Sequence, residues 1–123
     1  MRWFLDSYAI IEMARGSSHY SPYRRDSSVT SSPQLLEAFY ILLEQGYEEL
    51  AIATLARLSP ITVHPPLTIT PSVARFRLRR KGATGRRFSY AGAMGYVYAR
   101  ERGYAFLTGD HEFEGLPGVE FVR

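Results

Sequence analysis

At 123 residues, with 46% hydrophobic and 22% charged side chains and a formal net charge of +3, the chain has the size and composition of one globular domain spanning 1–123. Disorder and fibrous repeats are excluded by that balance. The absence of cysteine rules out disulfide scaffolds, thiolate catalysis and Cys-based zinc or iron–sulfur sites, so any chemistry must use oxygen or nitrogen groups.

No window reaches the roughly 18 to 20 uncharged apolar residues of a membrane span. Asp6 and Glu12 interrupt the N-terminal apolar run, which a signal-peptide core would not tolerate. A cytoplasmic protein with no membrane association is expected. Asparagine is also missing, and Lys81 is the single lysine against fourteen arginines, a bias that suits a thermophile and equally a GC-rich genome.

In chain order, Trp3–Leu5 predicts a short strand ended by Asp6, and Ser7–Ala14 a helix closed by Gly16. A loop is expected from Gly16 to about Val29. Ser32 with Pro33 makes an N-cap and first-turn pair for a helix whose Leu35, Leu36, Phe39, Leu42 and Leu43 recur at helical spacing up to Gly46. A second helix runs from Tyr47 to about Leu58, and the β-branched segment Ile61–His64 reads as a strand stopped by Pro65 and Pro66. Pro71 opens a basic helix to about Lys81, Gly82–Arg87 turns the chain, and Ser89–Gly103 is helical again. Two strands, Tyr104–Thr108 and Val119–Val122, close the series. Strands alternating with helices predict an α/β fold with a parallel or mostly parallel sheet covered on both faces, and such sheets bind ligands beyond the carboxyl ends of their strands.

That rule selects acids. The chain has three aspartates, Asp6, Asp26 and Asp110, and two of them directly follow apolar strand runs, Phe4-Leu5-Asp6 and Leu107-Thr108-Gly109-Asp110. Separately, Asp6 reads as a helix cap and Asp110 as the opening of a turn. Together, on neighbouring parallel strands, they point to a hard-cation site, since Mg²⁺ or Mn²⁺ takes oxygen ligands and often needs only one or two carboxylates. Glu37 is the third candidate, the only charge between Leu35 and Leu43. It shares the polar side of its helix with Glu44, yet Ala38 and Ile41 extend the apolar surface toward it and predict a partly buried setting. Glu12, Glu112 and Glu114 read as surface acids first, and as outer acids around such a site second. His19, His64 and His111 receive no role, because His111-Glu112-Phe113-Glu114 lacks the second histidine of a zinc-hydrolase helix.

Basic residues are concentrated as well: Arg75, Arg77, Arg79, Arg80, Lys81, Arg86 and Arg87 fall within thirteen positions. Such a run is either a solvated helix face or a phosphate-binding patch, because guanidinium forks match phosphate oxygens. Tyr20, Tyr23, Arg24 and Arg25 form a smaller aromatic and basic cluster that reads as a surface loop.

The segments Phe4-Leu5-Asp6-Ser7-Tyr8-Ala9-Ile10-Ile11-Glu12, Thr30–Tyr40 with Glu37, and Ser89-Tyr90-Ala91 through Leu107-Thr108-Gly109-Asp110, in this order over nearly the whole chain, resemble the PIN domain. The resemblance is to small prokaryotic members of the VapC-like toxin type and to their archaeal relatives in particular. It implies a PIN-like three-layer α/β/α sandwich with a mostly parallel central sheet and an endoribonuclease site of about four carboxylates that uses Mg²⁺ or Mn²⁺. It also implies RNA as substrate, a homodimer and, in toxins, a cognate antitoxin. Carried over by position, the catalytic and metal-binding acids are Asp6, Glu37 and Asp110; on such an enzyme the basic run, with Arg75, Arg79, Arg80, Lys81, Arg86 and Arg87, would guide the RNA strand electrostatically.

One position departs from the pattern. Where Ser-Tyr-Ala-Asp would supply the third carboxylate, the chain reads Ser89-Tyr90-Ala91-Gly92. With Ser89 as N-cap, an acid at 92 would return the cap hydrogen bond and complement the helix dipole, and glycine does neither. The sequence is compatible with a native degenerate site and with an inactivating change selected against a toxic nuclease. The resemblance therefore implies a weakened endoribonuclease or a catalytically silent module that binds RNA or protein. A receiver-like phosphoacceptor domain would also place acids at strand ends, but it needs an acidic pair near the first strand and a lysine near the last, whereas Lys81 lies in the basic segment.

Overall fold

The protein is described by a computed structural model covering residues 2–25, 27–85 and 88–123. Five short strands, β1 (Trp3–Leu5), β2 (Ser28–Ser31), β3 (Thr62–Val63), β4 (Ala105–Thr108) and β5 (Val119–Phe121), form one sheet in the order β3-β2-β1-β4-β5. Every pairing is parallel, with Phe4 opposite Val29 on one side and Phe106 on the other. Parallel strands need crossover connections, and helices supply them: α1 (Ser7–Ala14), α2 (Ser32–Glu44), α3 (Glu48–Leu58), α4 (Thr70–Thr84) and α5 (Tyr90–Arg102).

Strand alternation divides the core into two layers. Trp3, Leu5 and Leu107 point to one face and pack with Ile10, Leu35, Ala38, Leu42 and Ala51 from α1, α2 and α3. Phe4, Val29 and Phe106 point to the other and pack with Val73 and Phe76 of α4 and Tyr96 and Ala99 of α5. The result is the expected three-layer α/β/α sandwich. Its centre holds an aromatic cluster in which Phe106, Phe113, Phe88 and Tyr96 meet at ring-centroid separations of 4.6 to 5.8 Å.

Four local expectations change. The stretch from Gly16 to Val29 is not simply a loop: Ser18–Arg25 is a 3-10 helix that buries Tyr20 completely, and β2 begins at Ser28. Ser28–Ser31 carries a single large apolar residue, so it lacks the usual strand signature, yet Thr30 and Ser31 are buried and the Thr30 hydroxyl donates to the Leu5 carbonyl at 2.8 Å. Ser31, not Ser32, occupies the N-cap position of α2, and its hydroxyl bonds the Gln34 side chain instead of the helix backbone. The predicted strand over Ile61–His64 is trimmed to Thr62–Val63 by a 3-10 turn at Ser59–Ile61. Finally, Gly82 does not end α4, which continues to Thr84 and stops at Gly85 in the left-handed conformation (φ +73°).

The strand order places a reversal beside β1: the chain first builds outward through β2 and β3, then crosses to the opposite side for β4 and β5. The crevice beyond the carboxyl ends of β1 and β4 is therefore the topological switch point, where open α/β sheets hold their ligands.

Candidate active site

Asp6 and Asp110 both emerge at that switch point. Asp6 directly follows β1 and is only 3% exposed. It stands at the N-cap position of α1 but makes no side-chain cap; its Oδ2 instead accepts a hydrogen bond from the Thr108 hydroxyl at 2.7 Å. The same hydroxyl oxygen accepts from the Asp110 backbone N–H at 3.1 Å, so Thr108, fully buried at the end of β4, ties the two aspartates together. Asp110 does open a turn, its Oδ1 accepting from the Glu112 N–H at 3.0 Å. Glu37 comes from the first turns of α2 and is half-buried, as its helix position predicts. Its Oε1 accepts from the Ser7 hydroxyl, which stands next to Asp6.

Electrostatics joins the three acids. Burial, reinforced by the charges of Glu37 and Asp110, raises the Asp6 pKa from the ordinary 3.8 to about 7, against the lowering effect of the Thr108 and Ser7 hydrogen bonds. A buried carboxylate facing two other acids is a group that a cation would stabilise in its charged form. The donors are all oxygen, which fits Mg²⁺ or Mn²⁺ in kind. Among the described residues, however, no group of three or more His, Asp or Glu side chains is gathered closely enough to hold a metal ion. Asp6 and Asp110 are linked through the Thr108 hydroxyl, and Glu37 is bonded to Ser7, the neighbour of Asp6.

Gly92 is the position at which the resemblance implies a further carboxylate. Ser89 caps α5 as predicted, its Oγ accepting from the Gly92 N–H at 2.9 Å. The glycine is buried, and a Cβ there would stand 3.0 Å from Ser89 Oγ and 3.1 Å from Phe113 Cζ. A side chain at 92 thus needs the Phe113 ring to give by a few tenths of an ångström. Next to it, the Gln34 amide, fully buried on α2, donates to the Ala91 carbonyl and fixes α5 against α2. Gln34 is not among the predicted site residues; its one signal in the sequence is a polar residue set beside the leucine stripe of α2.

The predicted basic residues divide between two sides of α4. Arg75, Arg79 and Arg80 line a groove of about 430 Å³ shared with Arg100 of α5, a residue outside the predicted basic run. Arg80 Nε is buried there without a hydrogen-bond partner. Lys81 faces the opposite groove, of about 440 Å³, with Arg77 and Tyr90. Arg86 and Arg87 lie outside the described residues. His111, given no role, bridges Glu114 at 3.1 Å and the Arg123 guanidinium at 2.7 Å on the surface, near the turn that holds Asp110.

No protein-family model and no curated protein matches this sequence. Solved structures do match in fold. VapC20 from Mycobacterium tuberculosis, a sarcin–ricin-loop-cleaving toxin, superposes with a TM-score of 0.78 at 18% identity, over 98% of this chain and 99% of that one. VapBC2 from Rickettsia felis, solved on a DNA fragment of its promoter, matches with a TM-score of 0.75 at 13% identity over the full length of both chains. PAE2754 from Pyrobaculum aerophilum matches with a TM-score of 0.71 at 17% identity, over 98% of this chain and 92% of that one. The α/β/α sandwich described above is the fold of VapC toxins, the PIN-domain fold.

Proposed function

We propose that on this VapC-type fold the chain is a divalent-metal-dependent endoribonuclease whose activity is weakened by Gly92. The observation that carries the reading is the Asp6–Thr108–Asp110 linkage at the switch point, with Glu37 coupled to Asp6 both through Ser7 and by charge. Asp6, Glu37 and Asp110 would hold Mg²⁺ or Mn²⁺, weakly, because the acid expected at position 92 is missing. When bound, such an ion activates water for in-line attack on a phosphodiester and stabilises the charge on the leaving oxygen.

The chain's own part is positioning. Thr108 holds Oδ2 of Asp6. Ser7 orients Glu37, and the arginines of α4 neutralise the RNA backbone as it approaches. By analogy with removal of one oxyanion-hole donor, loss of one preorganised group from such a site lowers the rate by about 10²–10³.

The test is cleavage of structured RNA by the protein and its Gly92→Asp variant, side by side, with Mn²⁺ and with EDTA. A sarcin–ricin-loop hairpin is one suitable substrate, since the M. tuberculosis neighbour is a toxin that cuts that loop. Gly92→Ala is the control, because it moves Phe113 without adding a carboxylate. Metal-dependent cutting that appears in the aspartate variant alone supports the assignment. Silence in all three folded proteins favours a second reading, a catalytically silent module, for which the observations are the missing metal cluster among the described residues and the packing of Phe113 over Gly92.

The partners we infer are RNA, a second copy of the chain and a cognate antitoxin. The Klebsiella pneumoniae and Salmonella typhimurium neighbours were solved as a toxin–antitoxin complex and as a DNA-bound VapBC assembly. A protein contact is supported by the apolar surface of α2 and α3, where Leu36 and Ile52 are 72% and 54% exposed. Light scattering on the purified chain measures the dimer directly. No helix among the described residues is long and apolar enough to cross a membrane.

A further inference from the structure

We propose that Arg77 and Tyr90 form a preassembled stacking platform for an unpaired RNA base at the first turn of α5, which makes them residues that select single-stranded over duplex RNA. The inference rests on RNA being the substrate and adds to it the conformation of RNA that is recognised.

Tyr90 is the first residue of α5 and 69% exposed, which is unusual for an aromatic ring in a chain that buries most of its others. The Arg77 guanidinium lies 3.8 Å from the ring centroid. Other arginine–ring pairs among the described residues, at Phe88, Tyr98, Tyr104 and Tyr8, are longer, at 4.9 to 5.8 Å, and their rings are buried or half-buried. At Tyr90 alone among them is a ring covered closely on one face and open to solvent elsewhere. Arg77 is itself held, its Nε donating to the Phe88 carbonyl at 2.9 Å. The platform is thus ordered before anything binds, and the entropy of arranging a long cation over a ring does not have to be lost at the moment of binding.

The surroundings define the occupant. The groove of about 440 Å³ next to the ring is lined by Val73, Leu78 and Met94 together with Lys81, so a mainly apolar slot carries a second cation. A nucleobase offers a flat apolar face and carries a phosphate on either side, which matches both features, and aromatic stacking accepts any base. Charge complementarity extends well beyond the slot: between Glu49 and Glu101 the sequence contains no acidic residue. An acidic or neutral helix would find the slot but leave Arg75, Arg79 and Arg80 in the neighbouring groove unmatched. A base inside a duplex is stacked on both faces and cannot reach Tyr90, and this is the origin of the selectivity.

Location links the platform to the site. Tyr90 directly follows the cap Ser89, the next residue, Ala91, accepts the Gln34 amide, and Gly92 packs on Phe113 just beyond Asp110. One turn of α5 therefore carries both the platform and the position of the missing acid.

The test is binding without cleavage. A fluorescently labelled ten-nucleotide single-stranded RNA containing 2-aminopurine, and the duplex of the same sequence, are titrated with the full chain in EDTA. Tyr90→Phe should bind like the parent. Tyr90→Ala should lose roughly tenfold in affinity for the single strand, the scale of one stacked base, together with the 2-aminopurine quenching, and should bind duplex as before. Arg77→Lys should lose part of the single-strand affinity at an unchanged salt dependence, since the charge stays and the planar stack is removed. Equal affinity of Tyr90→Ala and parent for the single strand overturns the proposal. So does an equal loss on single strand and duplex, or a change in oligomeric state with RNA affinity unchanged, which would make Tyr90 a protein contact. If the parent binds and quenches but neither it nor Gly92→Asp ever cuts, the nuclease reading fails and the platform stands; if either protein cuts and Tyr90→Ala binds normally, the reverse holds.

Discussion

Burial and neighbouring acids push the Asp6 carboxyl from 3.8 to about 7, and a raised carboxyl pKa has a definite consequence for stability. The folded state favours the protonated form, so this group's contribution is complete below the unfolded value near 4 and is lost as pH rises through about 7. The metal-free protein should therefore melt at progressively lower temperature between pH 5 and 8, and Asp6→Asn should flatten that slope. Mn²⁺ should raise the melting temperature more at pH 8 than at pH 5, because only the ionised carboxylate attracts it. Melts of both proteins across this range decide the matter; a slope that survives Asp6→Asn belongs to another group. Gly95 supplies a second test. A Cβ there would stand 2.1 Å from Gln34 Nε2 and 2.9 Å from Phe4 Cε1, so the glycine exists to admit the buried amide. Although alanine is favoured over glycine in helices by about 1 kcal/mol, Gly95→Ala should destabilise by roughly 1–3 kcal/mol through overpacking. Adding Gln34→Ala should recover part of the loss, a coupling that a double-mutant cycle of thermal melts reads directly.

Two helices with similar sequence starts behave differently at their N-termini. Ser89 caps α5 through Gly92 N–H, whereas the Ser31 hydroxyl is turned to Gln34 and caps nothing. Ser89→Ala should cost about 1 kcal/mol, the usual value of an N-cap, while the effect of Ser31→Ala should vanish when Gln34 is also replaced; chemical denaturation of the four variants separates the cases. The same contrast explains what is legible in the sequence. Elements with strong local signals stand where predicted: α1 at Ser7–Ala14, α5 between its serine cap and Gly103, β1 and β4 as apolar runs. β2 escapes prediction because Ser28–Ser31 is made a strand by its neighbours, through pairing with β1 and β3 and the Thr30 bond to Leu5, and not by its own residues. Asp6 and Asp110 are visible because each ends a strand run. Thr108 and Ser7 are legible only as hydroxyls near the acids, since their bonds to Asp6 and Glu37 join residues 102 and 30 positions apart. Gln34 and the Arg77–Tyr90 pair depend wholly on helix packing, which no local pattern encodes.

For the whole molecule, the strand order decides what the modest net charge of +3 can do. Crossing from β3 to β4 carries the chain through α4 and α5, so the arginine-rich segment, whose one acid is Glu101 near the end of α5, packs as the layer covering one face of the sheet, while Asp6 and Asp110 follow the carboxyl ends of β1 and β4. Positive charge is thus concentrated in one layer, with Arg75, Arg79, Arg80 and Arg100 grouped against the single acid Glu101 in the groove between the two helices. Such a concentration suits a polyanion whose backbone rests on the basic layer while one phosphodiester meets the acids. Its measurable sign is salt dependence, because each phosphate neutralised releases condensed counterions and contributes about −0.7 to the slope of log affinity against log salt for a single strand. Arg75→Gln with Arg79→Gln should make that slope shallower by about 0.7 for each phosphate that is no longer neutralised, uniformly across sequences. Arg57→Gln, on α3 in a separate cleft with Arg24, should leave it unchanged. Titrations in EDTA at several salt concentrations distinguish the three proteins. Equal slopes in all of them would mean that the basic layer of α4 is a solvated helix face, and that the RNA backbone is held elsewhere.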